Sequence, residues 1–422
     1  MEKYSEYKDS GVQWLGEIPS HWKIRRIKWL FREEDEKNVN LTYQLLSFSR
    51  NKGIIPFSAI NEKAPSASDL SKYKVLHEGQ LLENRMQAWS GMFGCSHIEG
   101  CVSPDYSVFS PYDSNVVTEY YACLFRIPIF VQQFANASKG IGDGFNRLYT
   151  PQFHKIYAIV PSTIEQHAIV FYLDTKCSKL DMFISNKEKE ITLLQEMKQR
   201  VITDAVTRGL NPNVKFRSTN IPWLPEIPEY WKIKRAKNMF KKEQRPILYD
   251  DEIVTCFRDG EVTLRKNRRT SGFTEATDYS HYQHICKGDL VIHQMDAFAG
   301  SSGVSDSDGM GTPVLSVCTP KIEGIDNYYY AHVLRIMGKN GFILSLYRGI
   351  RERSSDFRFD TFIKQWLPVP PIEEQHAIVS YITERVAKID SLIEKLNKEI
   401  ECIKEYKQRL ISDVVTGQIK VS

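Results

Sequence analysis

The chain has 422 residues, 42% hydrophobic and 26% charged, and its 56 lysines and arginines nearly balance its 52 aspartates and glutamates. This length suggests two or three domains, and a near-neutral charge neither demands nor excludes nucleic acid as a partner. The eight cysteines show no paired spacing, the N-terminus has no apolar signal core, and no run approaches the ~20 apolar residues that span a bilayer. We therefore expect a cytoplasmic protein with reduced thiols.

The first 160 residues form a segment rich in turns. Strand-like runs, for example residues 44–48, are separated by glycines and prolines. This pattern predicts a globular α/β (α+β) domain over residues 1–160.

A long helix is predicted next, within residues 161–209. It would run from Thr163 to Thr207 and be about 65 Å long at 1.5 Å per residue. Its capping box would be Ser162 with Glu165, or Thr163 with Gln166, and Gly209 would end it. Its apolar residues recur at steps of three and four, as in a coiled-coil seam that Lys187 and Lys198 interrupt: Leu180, Ile184, Ile191, Leu194 and Val201.

The second half of the chain repeats this order. Residues 210–368 are again turn-rich, with strand-like runs at 253–257 and 290–293, and predict a second globular domain. Residues 369–422 predict a second long helix, although no serine or threonine stands at its start. Its seam contains one lysine, Lys407, and seven apolar residues: Ile389, Ile393, Leu396, Ile400, Ile403, Leu410 and Val414.

The two halves are copies of one another at an offset of 209 residues, since Trp14 recurs as Trp223 and Glu165-Gln166-His167 recurs as Glu374-Gln375-His376. Two equivalent seams in one chain, related by a pseudo-twofold, would pack antiparallel. The predicted fold is therefore a two-fold internal repeat, with two globular domains separated by two long helices that form an antiparallel coiled coil. The helices agree closely and the globular parts do not, which favours two binding domains of different specificity over one duplicated active site.

No catalytic or metal site is predicted. Cys95, His97 and Cys101 correspond to Val304, Asp306 and Met310, and the cluster His281, His284, Cys286 and His293 is likewise not repeated. The glycine-rich residues 140–144 lack the lysine of a phosphate loop, and no Asn-Pro-Pro-aromatic motif of adenine methylation occurs.

Basic residues give the only functional signal, although solvated surface charge explains each of them equally well. Arginine suits both phosphates and guanine edges because its planar fork donates two hydrogen bonds at once. The DNA-binding candidates are Arg50, Arg85, Lys139 and Arg147 in the first half, and Arg265, Lys266, Arg268, Arg269, Arg348, Arg351, Arg353 and Arg358 in the second.

With its doubled Trp-Lys-Ile openings, Glu-Gln-His-Ala-Ile helix starts and Lys-Gln-Arg helix ends, the chain resembles a specificity subunit of a type I restriction-modification system over nearly its whole length. The resemblance implies two target recognition domains, each binding one half of a split, asymmetric DNA target, with the helices setting the gap. It also implies that the chain is non-catalytic and carries no cofactor.

The partners follow from the same resemblance. Two modification subunits would methylate adenine with S-adenosylmethionine, and restriction subunits would cut DNA using ATP and Mg²⁺. We expect the modification subunits to dock near polar residues that both copies keep off the seam, namely Gln166, His167, Gln375 and His376.

Two other functions stay open at this stage. The coiled coil could present two protein-binding domains with no role on DNA, which the near-neutral charge allows. The chain could also be an enzyme, such as a methyltransferase or a nuclease with an unusual site. Retention of a split DNA target, and activity without a second polypeptide, would distinguish these alternatives.

Overall fold

The computed structural model describes residues 2–50, 52–59, 69–140, 146–269, 271–272, 278–346 and 357–421. The chain divides into two compact units, Met1–Glu188 with Asn397–Ser422, and Lys189–Leu396. The division falls inside both long helices. Each unit therefore combines one globular part with the first half of the helix that follows it and the last half of the other helix.

In the first unit, four strands form an antiparallel sheet that lies beside two-stranded sheets; their order is Phe31–Glu34 (β4), Tyr106–Pro111 (β11), Leu81–Asn84 (β8) and Phe93–Cys95 (β9). Pro128 separates two short helices, because the residue before a proline is driven out of the helical region. The strands are β1 (Tyr7–Asp9), β2 (Glu17–Pro19), β3 (Lys23–Arg26), β4 (Phe31–Glu34), β5 (Leu46–Ser49), β6 (Gly53–Pro56), β7 (Lys74–Leu76), β8 (Leu81–Asn84), β9 (Phe93–Cys95), β10 (Gly100–Val102), β11 (Tyr106–Pro111) and β12 (Tyr157–Val160). The helices are α1 (Thr118–Leu124), α2 (Pro128–Ala137), α3 (Thr150–Phe153) and α4 (Thr163–Arg208).

The second unit repeats this architecture, with its four-stranded sheet in the order β16-β23-β20-β21. Met337 stands where the first unit has Pro128, and α5 accordingly runs on without a break. The strands are β13 (Phe216–Ile221), β14 (Leu224–Pro228), β15 (Lys232–Arg235), β16 (Phe240–Lys242), β17 (Val254–Cys256), β18 (Val262–Leu264), β19 (Gln283–Ile285), β20 (Leu290–His293), β21 (Ser302–Val304), β22 (Gly309–Gly311), β23 (Leu315–Pro320) and β24 (Trp366–Val369). The helices are α5 (Asn327–Lys339), α6 (Phe342–Ser345), α7 (Phe359–Phe362) and α8 (Ile372–Val415).

The start of each long helix is fastened to a buried tryptophan of its own unit. Glu165 accepts a hydrogen bond from Trp22 Nε1 at 2.9 Å, and Glu374 accepts one from Trp231 Nε1 at 3.0 Å. Glu165 also accepts the Ser162 hydroxyl at 2.7 Å, which identifies Ser162 and Glu165 as the capping box. Both tryptophans are at most 1% exposed, so these bonds join helix and core.

The end of each long helix completes the other globular part. Tyr120 donates its hydroxyl proton to Val415 O of α8 at 2.8 Å, and Tyr329 donates to Val206 O of α4 at 2.8 Å. Gly417 has φ +77°, and a Cβ there would lie 2.8 Å from the Trp22 ring, so both the backbone and the space require glycine. The sequences that end the two helices are thus part of the two cores.

Ion pairs show that the helices run antiparallel inside each unit. In the first unit Lys407 Nζ lies 2.6 Å from Asp181 and Lys187 Nζ lies 3.1 Å from Glu399. In the second unit Lys198 Nζ lies 2.6 Å from Asp390, the same pair at the repeat offset. The seam lysines therefore meet acids across the helix pair, and every predicted seam residue is buried or half-buried. The predicted fold class is confirmed.

Among the described residues, no helix combines the length and the apolar character that crossing a membrane requires.

Candidate nucleic-acid interface

The loop after β8 carries the first group of candidates. Arg85 and Met86 follow the strand directly and lead into a 3₁₀ turn at Ala88–Ser90. Met86 is 40% exposed and Trp89 is 43% exposed, and the Trp89 indole N–H donates to Met86 O at 2.8 Å. A thioether and an indole therefore stand in solvent next to an arginine.

The four basic candidates of the first half meet around this loop. Arg50 Nη2 donates to Ser90 O at 2.7 Å, and Arg85 O accepts Leu148 N at 3.1 Å. Lys139 and Arg147 exchange both backbone hydrogen bonds at 2.9 Å. Segments far apart in the sequence thus bring these four residues to the loop after β8 or to the segment that pairs with it.

Their charges are partly compensated. Arg85 Nε donates to Ser107 Oγ at 2.7 Å and Arg85 Nη2 lies 3.4 Å from Glu33, while Arg147 Nη1 lies 3.5 Å from Asp105. The Arg147–Asp105 pair is long and half-exposed and therefore weak, whereas the Arg85 side chain is only 22% exposed and is held more firmly.

A buried acid underlies the same loop. Glu83 of β8 is fully buried, and within the described part of the chain neither of its carboxyl oxygens has a hydrogen-bond partner. Burial raises the pKa of Glu83 to about 8, although the nearby charge of Arg85 opposes the shift. At neutral pH this acid is therefore mostly protonated and does not cancel the charge of Arg85.

The second unit has the same loop with different polar residues. Met295 follows β20 and is 47% exposed, and Gln294 O accepts Phe357 N at 2.9 Å, as Arg85 O accepts Leu148 N. The methionine, alanine, aromatic residue and glycine are kept at the repeat offset, whereas four polar positions change: Asn84 to His293, Arg85 to Gln294, Gln87 to Asp296 and Ser90 to Ala299. Aligning 84–91 with 293–300 would have revealed this loop, which sequence reasoning overlooked.

The basic cluster at 265–269 lies on a different element, the end of the β17–β18 hairpin. Arg268 Nη1 lies 2.7 Å from Asp259 and 2.7 Å from Glu261, and its guanidinium stacks 4.3 Å above the Phe257 ring centroid. Lys266 Nζ lies 2.5 Å from Glu252, and Arg269 binds the carbonyls of Ser271 and Gly272. Arg265 begins the 3₁₀ turn there. These side chains are engaged within the protein more fully than those of the first unit.

The last cluster is described only in part. Arg348, Arg351 and Arg353 lie outside the described residues. Arg358 is exposed, immediately before α7, and follows Phe357, whose N–H binds the loop after β20. Arg358 therefore stands beside that loop.

The proposed partner residues separate into two kinds. Gln166 is fully buried, where its Oε1 accepts Val117 N at 2.9 Å and its Nε2 donates to Asn115 O and Pro161 O at 3.0 Å. Gln375 makes the equivalent bonds and is equally buried. The structure thus gives these two glutamines a role inside their own units, because they satisfy backbone groups of the core and have no exposed surface for a partner. His167 and His376 are exposed and stay candidates.

A second feature is exposed in both units. Arg26 of β3 lies over the Tyr157 ring of β12, 5.2 Å from its centroid, and Arg235 of β15 lies over Trp366 of β24 at 4.9 Å. Tyr157 is 36% exposed and Trp366 is 43% exposed. Cation–π stacking thus keeps the same kind of surface at equivalent places.

Comparison with known proteins identifies relatives. No family model matches the chain. It is 24% identical over 293 residues to the MjaVIII specificity subunit of Methanocaldococcus jannaschii, a match that covers 66% of each chain. It is 22% identical to the putative MjaX specificity subunit of the same organism, over 96% of each chain. The EcoBI specificity subunit of Escherichia coli is 23% identical over 62% of this chain and 58% of its own.

Solved structures share the fold. A chain from a study of complex assembly and conformational transition in a type I restriction-modification system superposes with a TM-score of 0.68 at 13% identity, over 95% of this chain and 99% of that one. The HsdS subunit of Thermoanaerobacter tengcongensis gives 0.55 at 14% identity, over 95% and 98%. Specificity subunits are the non-catalytic members of their complexes, which agrees with the role predicted here. The resemblance inferred from the doubled sequence is confirmed: over nearly its whole length the chain is similar to a putative type I specificity subunit, and it shares its fold with the two solved chains.

Proposed function

We propose that this chain is the sequence-specific DNA-binding subunit of a type I restriction-modification complex, in which each globular domain reads one half of a bipartite, asymmetric target. The observation that carries the proposal is the loop that follows β8 in the first unit and β20 in the second. Its exposed methionine, Met86 or Met295, is the same in both units, while the polar residues around it differ.

This difference is what an asymmetric target requires. Two identical domains related by a twofold would read a palindrome. A shared backbone framework presents side chains at equivalent places, and new side chains on it select new bases through their hydrogen-bonding groups. Arg85 suits a guanine edge, whereas Gln294 suits adenine.

The paired helices would set the distance between the half-sites. Their antiparallel arrangement is fastened in each unit by a lysine–aspartate pair, Lys407 with Asp181 and Lys198 with Asp390. The helix ends are anchored in the cores by Tyr120 and by its counterpart in the second unit.

Two identical modification subunits would need the same surface twice. The stacked pair Arg26 and Tyr157, with its counterpart Arg235 and Trp366, meets that requirement, as do the exposed His167 and His376. We assign S-adenosylmethionine to those subunits, and ATP and Mg²⁺ to restriction subunits. Reversing Arg26 and Arg235 to glutamate should reduce copurification of the modification subunit, with the engaged Lys266 reversed as the matched control.

The decisive experiment coexpresses the chain with the modification subunit of the same host and maps adenine methylation across a genome. A bipartite, asymmetric motif is expected. A contiguous or palindromic motif, or no methylation, would contradict the proposal. If the purified assembly retains no DNA that a split target alone can compete, a protein-binding scaffold becomes the better description.

Single substitutions then test the two halves separately. Arg85→Ala should reduce base selectivity in one half-site only, and Gln294→Ala should reduce it in the other half-site only. Each good base contact contributes about 1–3 kcal/mol of discrimination. Arg268→Ala is the matched control, because Arg268 is already paired with two acids. If one substitution weakens base selectivity equally in both half-sites, the assignment of one half-site to each domain is wrong.

A further inference from the structure

We infer that the second unit contains a binding site for one divalent metal ion of the zinc class, formed by His284, Cys286 and Asp308. One ligand atom from each of these residues lies within 4.8 Å of the other two. Ligands of a tetrahedral zinc ion stand about 3.5 Å apart, given bonds of about 2.0–2.3 Å. Asp308 is exposed, so a small movement of its side chain would bring the three ligand atoms to the spacing of a zinc site.

Strand geometry brings the three side chains together. In the antiparallel pair of β19 and β22, His284 stands opposite Met310 and Ile285 opposite Gly309, which brings Cys286 opposite Asp308. His284 and Cys286 are two residues apart and thus project from the same face of the strand. Lys287 N donates to Asp308 Oδ1 at 2.8 Å and orients that carboxylate.

The histidine already has the support typical of a metal ligand. His284 Nδ1 lies 2.9 Å from both carboxyl oxygens of Asp251, whose side chain is only 5% exposed. A carboxylate on one ring nitrogen fixes the tautomer and leaves the other nitrogen, Nε2, as the ligand. This carboxylate–histidine arrangement is an observation independent of the cluster itself.

The surrounding charges permit a divalent cation. A Cys286 thiolate and the Asp308 carboxylate would balance its two charges. The charge of Arg245 acts on Cys286, but Arg245 is bound by Asp289, and Asp289 also accepts a hydrogen bond from Cys286 N at 2.8 Å. Arg245 is therefore compensated and does not repel the ion strongly.

The corresponding corner of the first unit is held by hydrogen bonds between a histidine and two carboxylates. His77 occupies the position of Cys286, and its two ring nitrogens lie 3.1 Å from Glu99 and 3.0 Å from Glu36. Glu99 occupies the position of Asp308 and Glu36 that of Arg245. An imidazole thus bridges two carboxylates in the first unit. The second unit has a thiol at that position, and it has a histidine, His284, where the first unit has Val75. Comparison of the two copies argued against a metal site here because the cluster is not repeated. The equivalent positions, however, carry different functional groups in the two units.

Cobalt binding tests the site directly. The full chain, stripped with a chelator and titrated with Co²⁺, should bind one ion with the thiolate-to-cobalt absorption band and the visible bands of a tetrahedral site. Cys286→Ser should abolish the thiolate band, and Asp251→Asn should weaken binding about 10–100-fold. Zn²⁺ should displace Co²⁺ in the wild-type chain.

The controls separate this site from other thiols. Cys402→Ser removes an exposed thiol, and Cys95→Ser removes the thiol of a second cluster with His97 and Glu119; both should keep the band. The proposal is overturned if the band is absent at stoichiometric Co²⁺, if it survives Cys286→Ser, or if it depends on Cys95. Should Cys286→Ser fail to fold, alkylation of the wild-type chain decides, because Zn²⁺ must slow modification of Cys286 and not that of Cys402.

Discussion

Gln166 provides the sharpest test of how the long helices join the globular parts. Its side chain is fully buried and makes three hydrogen bonds, to Val117 N, Asn115 O and Pro161 O. Leucine has nearly the same volume and can make none of them. Each bond contributes about 1 kcal/mol net, and the Val117 N–H left unpaired adds a desolvation cost, so Gln166→Leu should lower the free energy of unfolding by about 3–5 kcal/mol.

A loss of this size is easily measured. For a unit of about 200 residues it corresponds to a fall of roughly 6–20 °C in the midpoint of thermal unfolding. Urea unfolding followed by tryptophan fluorescence is the assay, because Trp22 packs in the same core. The full chain contains two units, so the transition of the first unit should move while that of the second stays in place.

The adjacent residue on the same helix is the control. His167 is exposed, and His167→Ala should change the unfolding free energy by less than about 0.5 kcal/mol. Gln375→Leu should reproduce the loss in the other unit. If Gln166→Leu unfolds at the wild-type midpoint yet loses the modification subunit, the glutamine is an interface residue after all and the structural assignment is wrong.

Three further changes test charges. Burial raises the pKa of Glu83 from 4.5 to about 8, so its contribution to stability is present below pH 4.5 and is lost as the pH rises towards 8. Glu83→Gln should therefore flatten the stability–pH profile between pH 4.5 and 8. An unchanged slope in this range would contradict the assignment. Burial would also raise the pKa of Glu165, but hydrogen bonds from Trp22, His21 and Ser162 outweigh it and lower the pKa from 4.5 to about 2. Its contribution is therefore lost as the pH falls from 4.5 to 2, and acid titration of Glu165→Gln should show a shallower loss than the wild type. Lys407→Ala should cost less than about 1 kcal/mol, because the pair with Asp181 is half-exposed, and exchanging the two charges should restore the wild-type midpoint if the pair acts as a pair.

The helices were the most predictable part of the fold. The predicted helix from 163 to 207 runs from Thr163 to Arg208 in the structure, because a seam with steps of three and four specifies both the element and the face it buries. Ser162 with Glu165 at its start followed from local hydrogen-bonding chemistry. The strand run at 290–293 was also found as such, whereas 44–48 and 253–257 moved by up to two residues at an end.

Long-range pairings were not accessible in the same way. Tyr120 binds a carbonyl 295 residues further along the chain, and nothing local to either residue indicates it. The glutamines show a related difficulty. A polar residue kept in both copies can serve a partner or can satisfy buried backbone groups, and only the three-dimensional environment of Gln166 decides between them.

Comparison of the two copies detects shared residues better than residues that only one copy has. Comparing the two copies finds what both must keep, such as the helix caps, the seam and the tryptophan anchors. It discounts whatever one copy has alone, because a change without a counterpart looks like drift. Yet each copy also has residues of its own on the common backbone: Arg85 where the other unit has Gln294, and His77 where the other unit has Cys286. In a protein built this way, agreement between the halves identifies the scaffold, and a difference at an otherwise conserved loop is the better guide to specificity.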